Sequence, residues 1–253
     1  MILPASYSNG FAPRDGQPLH PELWRGCVGA WAPCLGPTGL TLRDWSGRGN
    51  NGTLANLTAA GWVSSSGKYA LRGRQNTANN SQIDISSLSI SGGAYTFMFW
   101  LRLRSFASGF PFIMAGGTAL ELGSSASGMF FRPGVQFAAG SQFVVDKLEH
   151  RAVAASAGTV TLYINGKPFD SASHTYGTLS GFRLMNGADA SGNNIYSMDG
   201  DLFEASVHVG ALSQKTIAIA ASRCGIAYEL APRRRSSSAV QFNRRRRLLL
   251  GAS

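Results

Sequence analysis

Two segments of the chain carry the two-residue periodicity of β-strands. From Tyr95 to Arg102 both alternating sets of side chains are largely apolar, which predicts a central strand that is covered on both faces. Apolar and less apolar positions also alternate from Thr159 to Ile164, and Asn165-Gly166 follows directly. Asn-Gly is the strongest short signal for a β-hairpin, so a second strand is predicted after it.

Further strands are predicted towards both ends of the chain. The first is Cys27–Ala32, which Pro33 ends, and the last is Met198–Val209. Ser213 follows the last strand and is a residue type that caps helices, so we predict a short helix directly after it.

A polar cluster between the first strands predicts a structured turn. Residues 44–54 combine Asp, Ser, Gly and Asn, which favour left-handed backbone and side chain-to-backbone hydrogen bonds. Trp45 and Leu54 stand near the two ends of this segment and are predicted to anchor it in the core.

The composition supports an all-β fold with tails at both ends. The 253 residues include 31 glycines and only 14% charged residues, which suits many short strands and turns. Four prolines in residues 1–22 predict an extended N-terminal arm, and residues 232–253 form an arginine-rich tail. We therefore expect one sandwich over residues 23–231 between these two segments.

These landmarks resemble the LamG and concanavalin A-like families. The matching segments are Gly29-Ala30-Trp31 followed by Asp44 to Leu54, the strand that ends in Trp100, the hairpin at Asn165-Gly166, and the last strand with its helix. The resemblance covers about residues 24–222 and implies a concanavalin A-like jelly-roll β-sandwich. The sequence departs from the family at residues 72–76, where Arg72-Gly73-Arg74-Gln75-Asn76 replaces the usual Asp-Gly.

The strongest enzyme-like pattern is Asp199-x-Asp201-x-x-Glu204, since jelly-roll glycanases carry paired carboxylates on one strand. On a regular strand Asp199 and Asp201 share one face and Glu204 points to the other, so the pattern works only with a β-bulge. We expect instead a turn at Asp199-Gly200 followed by an exposed strand edge. No nucleophile elbow or phosphate-binding loop is found, and the protein is predicted not to be an enzyme.

No metal or cofactor is expected from the residue spacing, because the four histidines are isolated from one another. The resemblance raises one alternative, a weakly bound calcium ion at the rim of the sandwich. The candidate loop contains Asn186, Asp189 and Asn193, and its single carboxylate favours a structural turn over an ion site. The three cysteines, Cys27, Cys34 and Cys224, are expected to be free thiols.

Binding of a glycan requires exposed aromatic rings that stack on sugars. Four residues are candidate glycan contacts, although packing in the core is the more common fate of such side chains: Trp45, Trp62, Tyr176 and Tyr196.

The tail carries seven of the positive charges behind the net charge of +10, so that +3 is left for the rest of the chain. Any anionic partner is therefore expected to meet the tail, by protein docking or by nucleic-acid contact. The remaining alternative is a tail that binds neither and only aids solubility. The terminal leucines favour docking on a protein. The predicted docking residues are Arg233, Arg234, Arg235, Arg244, Arg245, Arg246, Arg247, Leu248, Leu249 and Leu250.

The N-terminus shows no secretory signal and no segment is long and apolar enough to span a membrane, so we expect a protein made in a cytosol. Similar sandwiches with terminal arms occur in tailed-phage particles. The resemblance thus implies a non-enzymatic structural or decoration protein of a virion, made in the host cytoplasm, which docks on capsid or tail proteins and forms homo-oligomers. The alternative is a carbohydrate-binding adhesin that recognises a host or environmental glycan.

Overall fold

The computed structural model describes residues 20–57, 61–65, 67–74, 81–91, 93–106, 112–116, 120–125, 127–132, 134–174, 178–187 and 196–222. The first strands of this part of the chain are β1 Cys27–Trp31, β2 Thr41–Leu42, β3 Gly52–Ala55, β4 Trp62–Ser65, β5 Lys68–Gly73, β6 Gln82–Ile90, β7 Tyr95–Leu103, β8 Phe112–Gly116 and β9 Leu120–Ser125. They are followed by β10 Gly128–Arg132, β11 Val135–Gln136, β12 Leu148–Ser156, β13 Thr159–Ile164, β14 Lys167–Ser173, β15 Leu179–Leu184, β16 Asn186–Gly187, β17 Tyr196–Ser197, β18 Gly200–Val209 and the helix α1 Gln214–Ser222.

The strands form two large antiparallel sheets that pack face to face. The front sheet has the order β14-β13-β12-β7-β18-β5-β4, and β1 also pairs with β18. The back sheet has the order β11-β10-β9-β8-β15-β6-β3-β2, and β16 and β17 form a small separate ribbon. Sequential strands are often not neighbours in these orders, so the chain crosses repeatedly between the two sheets.

The main core lies between the sheets and contains side chains from the inner face of each strand. On β7 these are Tyr95, Phe97, Phe99 and Leu101, all of which are buried. Tyr95 and Phe97 stack with their ring centroids 5.0 Å apart. Such aromatic contacts add to the stability that comes from burial of the apolar surface.

A second apolar cluster covers the outer face of the front sheet. Here Met98 of β7 and Ala152 of β12 contact Ile217 of α1 and Leu23, the last residue of a 3-10 turn that begins at Pro21. This outer layer explains why both faces of β7 are apolar, and it confirms the prediction of a strand covered on two sides.

The predicted hairpin and helix cap are both present. Asn165 and Gly166 have φ angles of 49° and 81°, and this left-handed backbone connects β13 to β14. A Cβ atom on Gly166 would lie 2.8 Å from Cα of Ala218, so glycine also lets the turn pack against α1. The backbone N–H of Thr216 donates to the Ser213 hydroxyl at 3.2 Å, as expected of a capping serine.

The polar segment 44–54 is a structured turn, as predicted, and it is organised around the buried Asp44 carboxylate. One carboxylate oxygen accepts hydrogen bonds from the backbone of Ala30 and Ser46, and the other accepts from the Ser46 hydroxyl and the backbone of Asn50. Trp31 donates its indole N–H to the carbonyl of Asn50 at 2.8 Å. The Asp, Ser and Asn residues of the motif therefore serve the fold.

The expectation for the last strand was wrong in one respect. β18 is not an exposed strand edge, because it lies between β7 on one side and β5 and β1 on the other. Nine of its ten residues are buried. The apolar residues that alternate along it face the main core, and its polar residues face the outer layer rather than solvent.

We predict that the protein loses stability as the pH falls from 7.5 to 5. Burial and the charge of Arg151 lower the pKa of His150 to about 3, and burial lowers the pKa of His208 to about 4. The unfolded chain binds protons at its histidines below pH ~6.5, whereas these two buried imidazoles stay neutral, so each histidine costs about 2 kcal/mol of unfolding free energy by pH 5. Urea unfolding at several pH values between 7.5 and 5 gives the slope of the unfolding free energy against pH.

Burial also lowers the pKa of His174, which therefore adds to this pH dependence in the same direction. The variant His208→Gln is expected to remove the share of His208 alone, about 2 kcal/mol at pH 5, since the unfolded chain then has one fewer histidine to protonate. The native chain, unfolded at each pH beside the variant, is the reference. An unaltered slope in His208→Gln would contradict the assignment of this effect to the buried imidazole.

Candidate functional site

A β-bulge in β18 brings two carboxylates to the same face of the front sheet. Opposite β7, Leu202 pairs with Leu101 and Glu204 pairs with Trp100, so Phe203 is an extra residue in the strand. Asp201, which pairs with Arg102, therefore shares the outer face with Glu204. The β-bulge that the Asp199-x-Asp201-x-x-Glu204 pattern requires, if Asp201 and Glu204 are to share a face, is thus present.

Asp201 is fully buried and is held by three side chains. Arg72 of β5 donates from Nε and Nη2 at 2.7 and 3.1 Å, and Arg102 of β7 donates from Nη2 at 2.6 Å. The Ser65 hydroxyl donates to the same carboxylate at 2.8 Å. Burial raises the pKa of this carboxyl, but the hydrogen bonds from Arg72, Ser65 and Arg102 outweigh it, and the pKa lies below its ordinary value.

Glu204 lies in a different setting, at a shallow pocket on the outer face of the front sheet that has internal room for about one water molecule. The floor contains Phe203 and Glu204, both more than nine-tenths buried. The remaining lining residues come from three other strands and the 3-10 turn Pro33–Leu35, and they are Cys34, Lys68, Trp100 and Leu148. The pocket therefore brings an aromatic, an acidic and a basic residue together, and the surface that it presents is almost wholly apolar.

Trp100 is held at the pocket wall by two contacts. Its indole N–H donates to the carbonyl of Ala220 in α1 at 3.2 Å, and its ring meets the edge of the His150 ring with centroids 5.4 Å apart. Both partners belong to well-packed elements. The aromatic surface at the pocket is consequently fixed before any ligand arrives.

The predicted sugar-contact aromatics are scattered over the structure. Trp45 is only 6% exposed and has the Arg43 guanidinium over its ring at 4.3 Å, which differs from the exposed position that stacking on a sugar requires. Trp62 is half-buried at the edge of the front sheet, and its indole N–H donates to the carbonyl of Gly39. Tyr176 lies outside the described residues, and Tyr196 forms part of β17.

The candidate calcium loop lies at the ribbon of β16 and β17. Asn186 is buried at its base, where it donates from Nδ2 to Oε1 of Gln82 at 3.0 Å, while its Oδ1 has no hydrogen-bond partner among the described residues. Asp189 and Asn193 lie outside the described residues. In the part of the chain that is described, no three His, Cys, Asp or Glu side chains are grouped as metal ligands.

Several other predicted features also fall outside the described residues, namely residues 1–19, Cys224 and the tail 232–253. Cys27 and Cys34 are free thiols, and burial raises the pKa of Cys27. Among the described residues no helix has the length and apolar character needed to cross a membrane.

The sequence matches one family model. It is described as the concanavalin A-like lectin/glucanases superfamily, and it matches residues 76–218, more than half of the chain. The chain belongs to this superfamily. The matched part begins before β6 and ends within α1, so it includes Trp100, Asp201 and Glu204. No match was found among curated protein sequences.

Solved structures with the same fold include domains associated with carbohydrate. One is domain 4 of AbnA, an extracellular arabinanase from Geobacillus stearothermophilus, and this domain was solved in complex with arabinotriose. Its TM-score is 0.56 at 17% identity, and the match covers 77% of this chain and 98% of that one. A mutant of Trypanosoma rangeli sialidase with trans-sialidase activity has a TM-score of 0.59 and 11% identity, over 82% of this chain. The chain spans about a third of the length of that sialidase, at 34%.

A third similar structure is botulinum neurotoxin type C, whose cell entry depends on interaction with two ganglioside molecules. The TM-score is 0.56 at 13% identity, and the match covers 78% of this chain and 51% of the toxin chain. At these identities the likeness establishes the fold, and it confirms the expected concanavalin A-like sandwich.

Sequence reasoning did not identify Lys68, Leu148 or Cys34 as pocket residues. They lie far apart in the sequence, and none belongs to a motif, so only the strand order β12-β7-β18-β5 brings them together. Trp100 was noted as a landmark of the family. The sequence offered one signal for this site: Trp100 lies two residues before Arg102, and so on the same face of β7.

We predict that Asp201→Asn lowers the unfolding free energy by about 3 kcal/mol at neutral pH, because two guanidinium groups lose the charge that compensates them. Since the folded pKa of Asp201 is depressed, its stabilisation is present above the unfolded pKa near 4 and is lost as the pH falls through the folded value. Denaturant unfolding at pH 7 and pH 3 measures both effects, and the variant and the native chain should converge at low pH.

Asp84→Asn is the matched control, since Asp84 makes a more exposed ion pair with Arg183 at 3.4 Å. Its expected cost is below ~1 kcal/mol. Equal losses of unfolding free energy in the two variants would show that the buried hydrogen bonds of Asp201 stabilise the fold no more than an exposed ion pair does.

Proposed function

We propose that this protein is a non-catalytic carbohydrate-binding domain whose sugar site is the pocket at Trp100 and Glu204. The observation that carries the proposal is the pocket itself, which brings Trp100, Glu204 and Lys68 together on a rigid sheet. Sugars offer apolar C–H faces to aromatic rings and hydroxyl groups to charged acceptors and donors. The pocket has internal room for about one water molecule, so it suits one substituent of a sugar whose ring lies across its mouth.

The arrangement of carboxylates supports binding without catalysis. A retaining glycosidase needs two carboxyl groups about 5–5.5 Å apart, and both must face the scissile bond. Asp201 uses both of its oxygens to accept from Arg72, Arg102 and Ser65, which keeps it ionised and engaged. Among the described residues Glu204 is the one carboxylate that lines the pocket.

The proteins of similar fold support this choice among functions. One was solved with arabinotriose and another depends on gangliosides for cell entry, which are carbohydrate interactions of those proteins. The superfamily description itself includes both lectins and glucanases. For this chain the choice of binding over hydrolysis depends on the engagement of Asp201 described above.

We predict that Glu204→Gln weakens glycan binding about tenfold, which corresponds to the loss of one charge-assisted hydrogen bond. A glycan array would first identify a ligand, and isothermal titration calorimetry would then compare the native chain with Glu204→Gln and Lys68→Ala. Phe169→Ala, which changes an exposed aromatic on the edge strand β14, is the control and should bind normally.

Thermal unfolding of each variant separates a lost contact from a lost fold. If Glu204→Gln and Lys68→Ala fold and bind the array ligand as well as the native chain, the pocket is not the sugar site. If no glycan binds at all, the carbohydrate-binding proposal fails.

A role in a virion, with attachment through the terminal segments, is a second proposal that comes from the sequence. Its support is the arginine clusters and terminal leucines of residues 233–250, which offer bidentate donors and an apolar end to a partner. The two proposals are compatible, because a sandwich that binds glycan can be displayed by a tail that docks on capsid or tail proteins.

For the tail we predict that the full chain assembles with candidate virion shells and that a chain ending at Ala231 does not. Light scattering of both chains, alone and with shells, measures oligomer size and attachment. If nucleic acid instead of shells increases the measured size of the full chain but not of the shorter chain, the tail binds nucleic acid. Identical behaviour of the two chains would contradict a docking role for the tail.

A further inference from the structure

Four arginines gather at one end of the outer face of the front sheet. Arg72 of β5 and Arg102 of β7 flank Asp201 of β18, and all three lie in one row across the sheet. Arg74 and Arg104 each follow one residue after the end of these two strands, and both are exposed. We name these four residues the arginine surface.

The positive charge of the arginine surface exceeds the negative charge beside it. Asp201 offsets part of the charge of Arg72 and Arg102, and Asp199 accepts from the Ser105 hydroxyl at 2.6 Å and lies 3.9 Å from Arg104. Two carboxylates thus face four guanidinium groups. Each guanidinium has five N–H donors, so several donors remain for a ligand after Asp201 is satisfied.

The buried carboxylate also orients the arginines before a ligand binds. Arg72 and Arg102 are each only 22% exposed at the side chain, and hydrogen bonds to Asp201 fix the two groups on either side of β18. Neighbouring strands are about 4.8 Å apart, so these two arginines stand on strands about 10 Å apart. Fixed guanidinium groups bind anions with less entropy loss than mobile ones.

The arginine surface continues directly into the pocket. Trp100 precedes Arg102 by two residues on the outer face of β7, which corresponds to about 7 Å along the strand. Glu204 follows Asp201 on the same face of β18, because the bulge at Phe203 restores the alternation. A chain-like ligand that lies along β18 would contact both regions.

We propose that the arginine surface binds the acidic groups of a glycan, carboxylate or sulfate, whose neighbouring sugar lies over the Trp100 pocket. This inference rests on the proposed carbohydrate-binding function and gives the class of ligand, an acidic oligosaccharide. It also gives a role to the exposed Arg74 and Arg104, for which the described residues show no buried partner network like that of Arg72 and Arg102. The structure thus offers an anion a second place to bind, besides the tail.

An acidic glycan fits this surface better than a nucleic acid does. The three carboxylates Asp199, Asp201 and Glu204 lie along the middle strand, between the arginines and at the pocket. A continuous phosphate backbone that tracked along β18 would meet these negative charges. Separate acidic groups on a sugar chain can instead be placed against the flanking strands.

The test uses a full-length chain in which the seven tail arginines are replaced by serine, so that the tail does not bind anions, together with the native chain. Binding of polygalacturonate, heparin, neutral dextran and single-stranded DNA is measured by calorimetry at low and moderate salt. Arg74→Ala/Arg104→Ala is the test variant, because both side chains are exposed and the change leaves the Asp201 network intact.

Arg25→Ala/Lys215→Ala is the control of equal charge, since both residues are exposed and Arg25 lies near the other end of β18. We expect the tail-substituted chain to bind one of the acidic polymers, the test variant to lose about tenfold or more in affinity, and the control to keep it. Preference for polygalacturonate or for heparin distinguishes carboxylate from sulfate.

Three results would overturn the proposal. The first is unchanged affinity in the Arg74→Ala/Arg104→Ala variant, and the second is equal or tighter binding of single-stranded DNA. The third is binding of neutral but not acidic glycans, which would leave the carbohydrate-binding function standing while removing the acidic ligand. Failure to bind any glycan would instead remove the carbohydrate-binding function itself.

Discussion

The pairing of β18 with β7 is the interaction on which the rest of the structure depends. These two long strands form the centre of the front sheet, with the main core on one face and the outer layer on the other. The extra residue at Phe203 interrupts their register and turns Asp201 and Glu204 to the same side. Without this bulge the arginine network and the floor of the pocket would lie on opposite faces. One inserted residue therefore decides what chemistry the outer face can present.

Polar residues divide into those that hold the fold and those that face the pocket. The Asp44 carboxylate accepts three hydrogen bonds from its own turn and one from Ala30 of β1, and Asp201 accepts from two arginines and a serine. Buried carboxylates of this kind are tolerated because every oxygen finds donors. Glu204 is also more than nine-tenths buried, and it lies at the pocket. Carboxylates thus hold the fold at two positions, and a third lies at the site proposed for binding.

Much of the fold could be predicted from local sequence, whereas the site could not. Asn165-Gly166 dictates its own backbone, and the apolar residues on both faces of β7 indicate a central strand, so the hairpin and that strand were correctly predicted. The position of β18 depends on the order of the strands in the sheet, which hydrophobic periodicity does not report. The prediction of an exposed edge strand is wrong for this reason. Trp45 is predicted both as a core anchor and as a candidate sugar contact, and its burial against distant segments agrees with the first of these. The pocket and the arginine surface need the same long-range information.

The hydrogen bond from Trp100 to the carbonyl of Ala220 can transmit force between α1 and the wall of the pocket. It joins the wall of the pocket to the last turn of α1, and the chain continues from that turn towards the tail. A force on the chain beyond α1 would act on the indole through this bond and on the front sheet through the packing of α1 at Met98, Ala152 and Gly166. If the tail is anchored and the pocket binds sugar, as proposed, tension on the tail would act on the side chain proposed to contact the sugar.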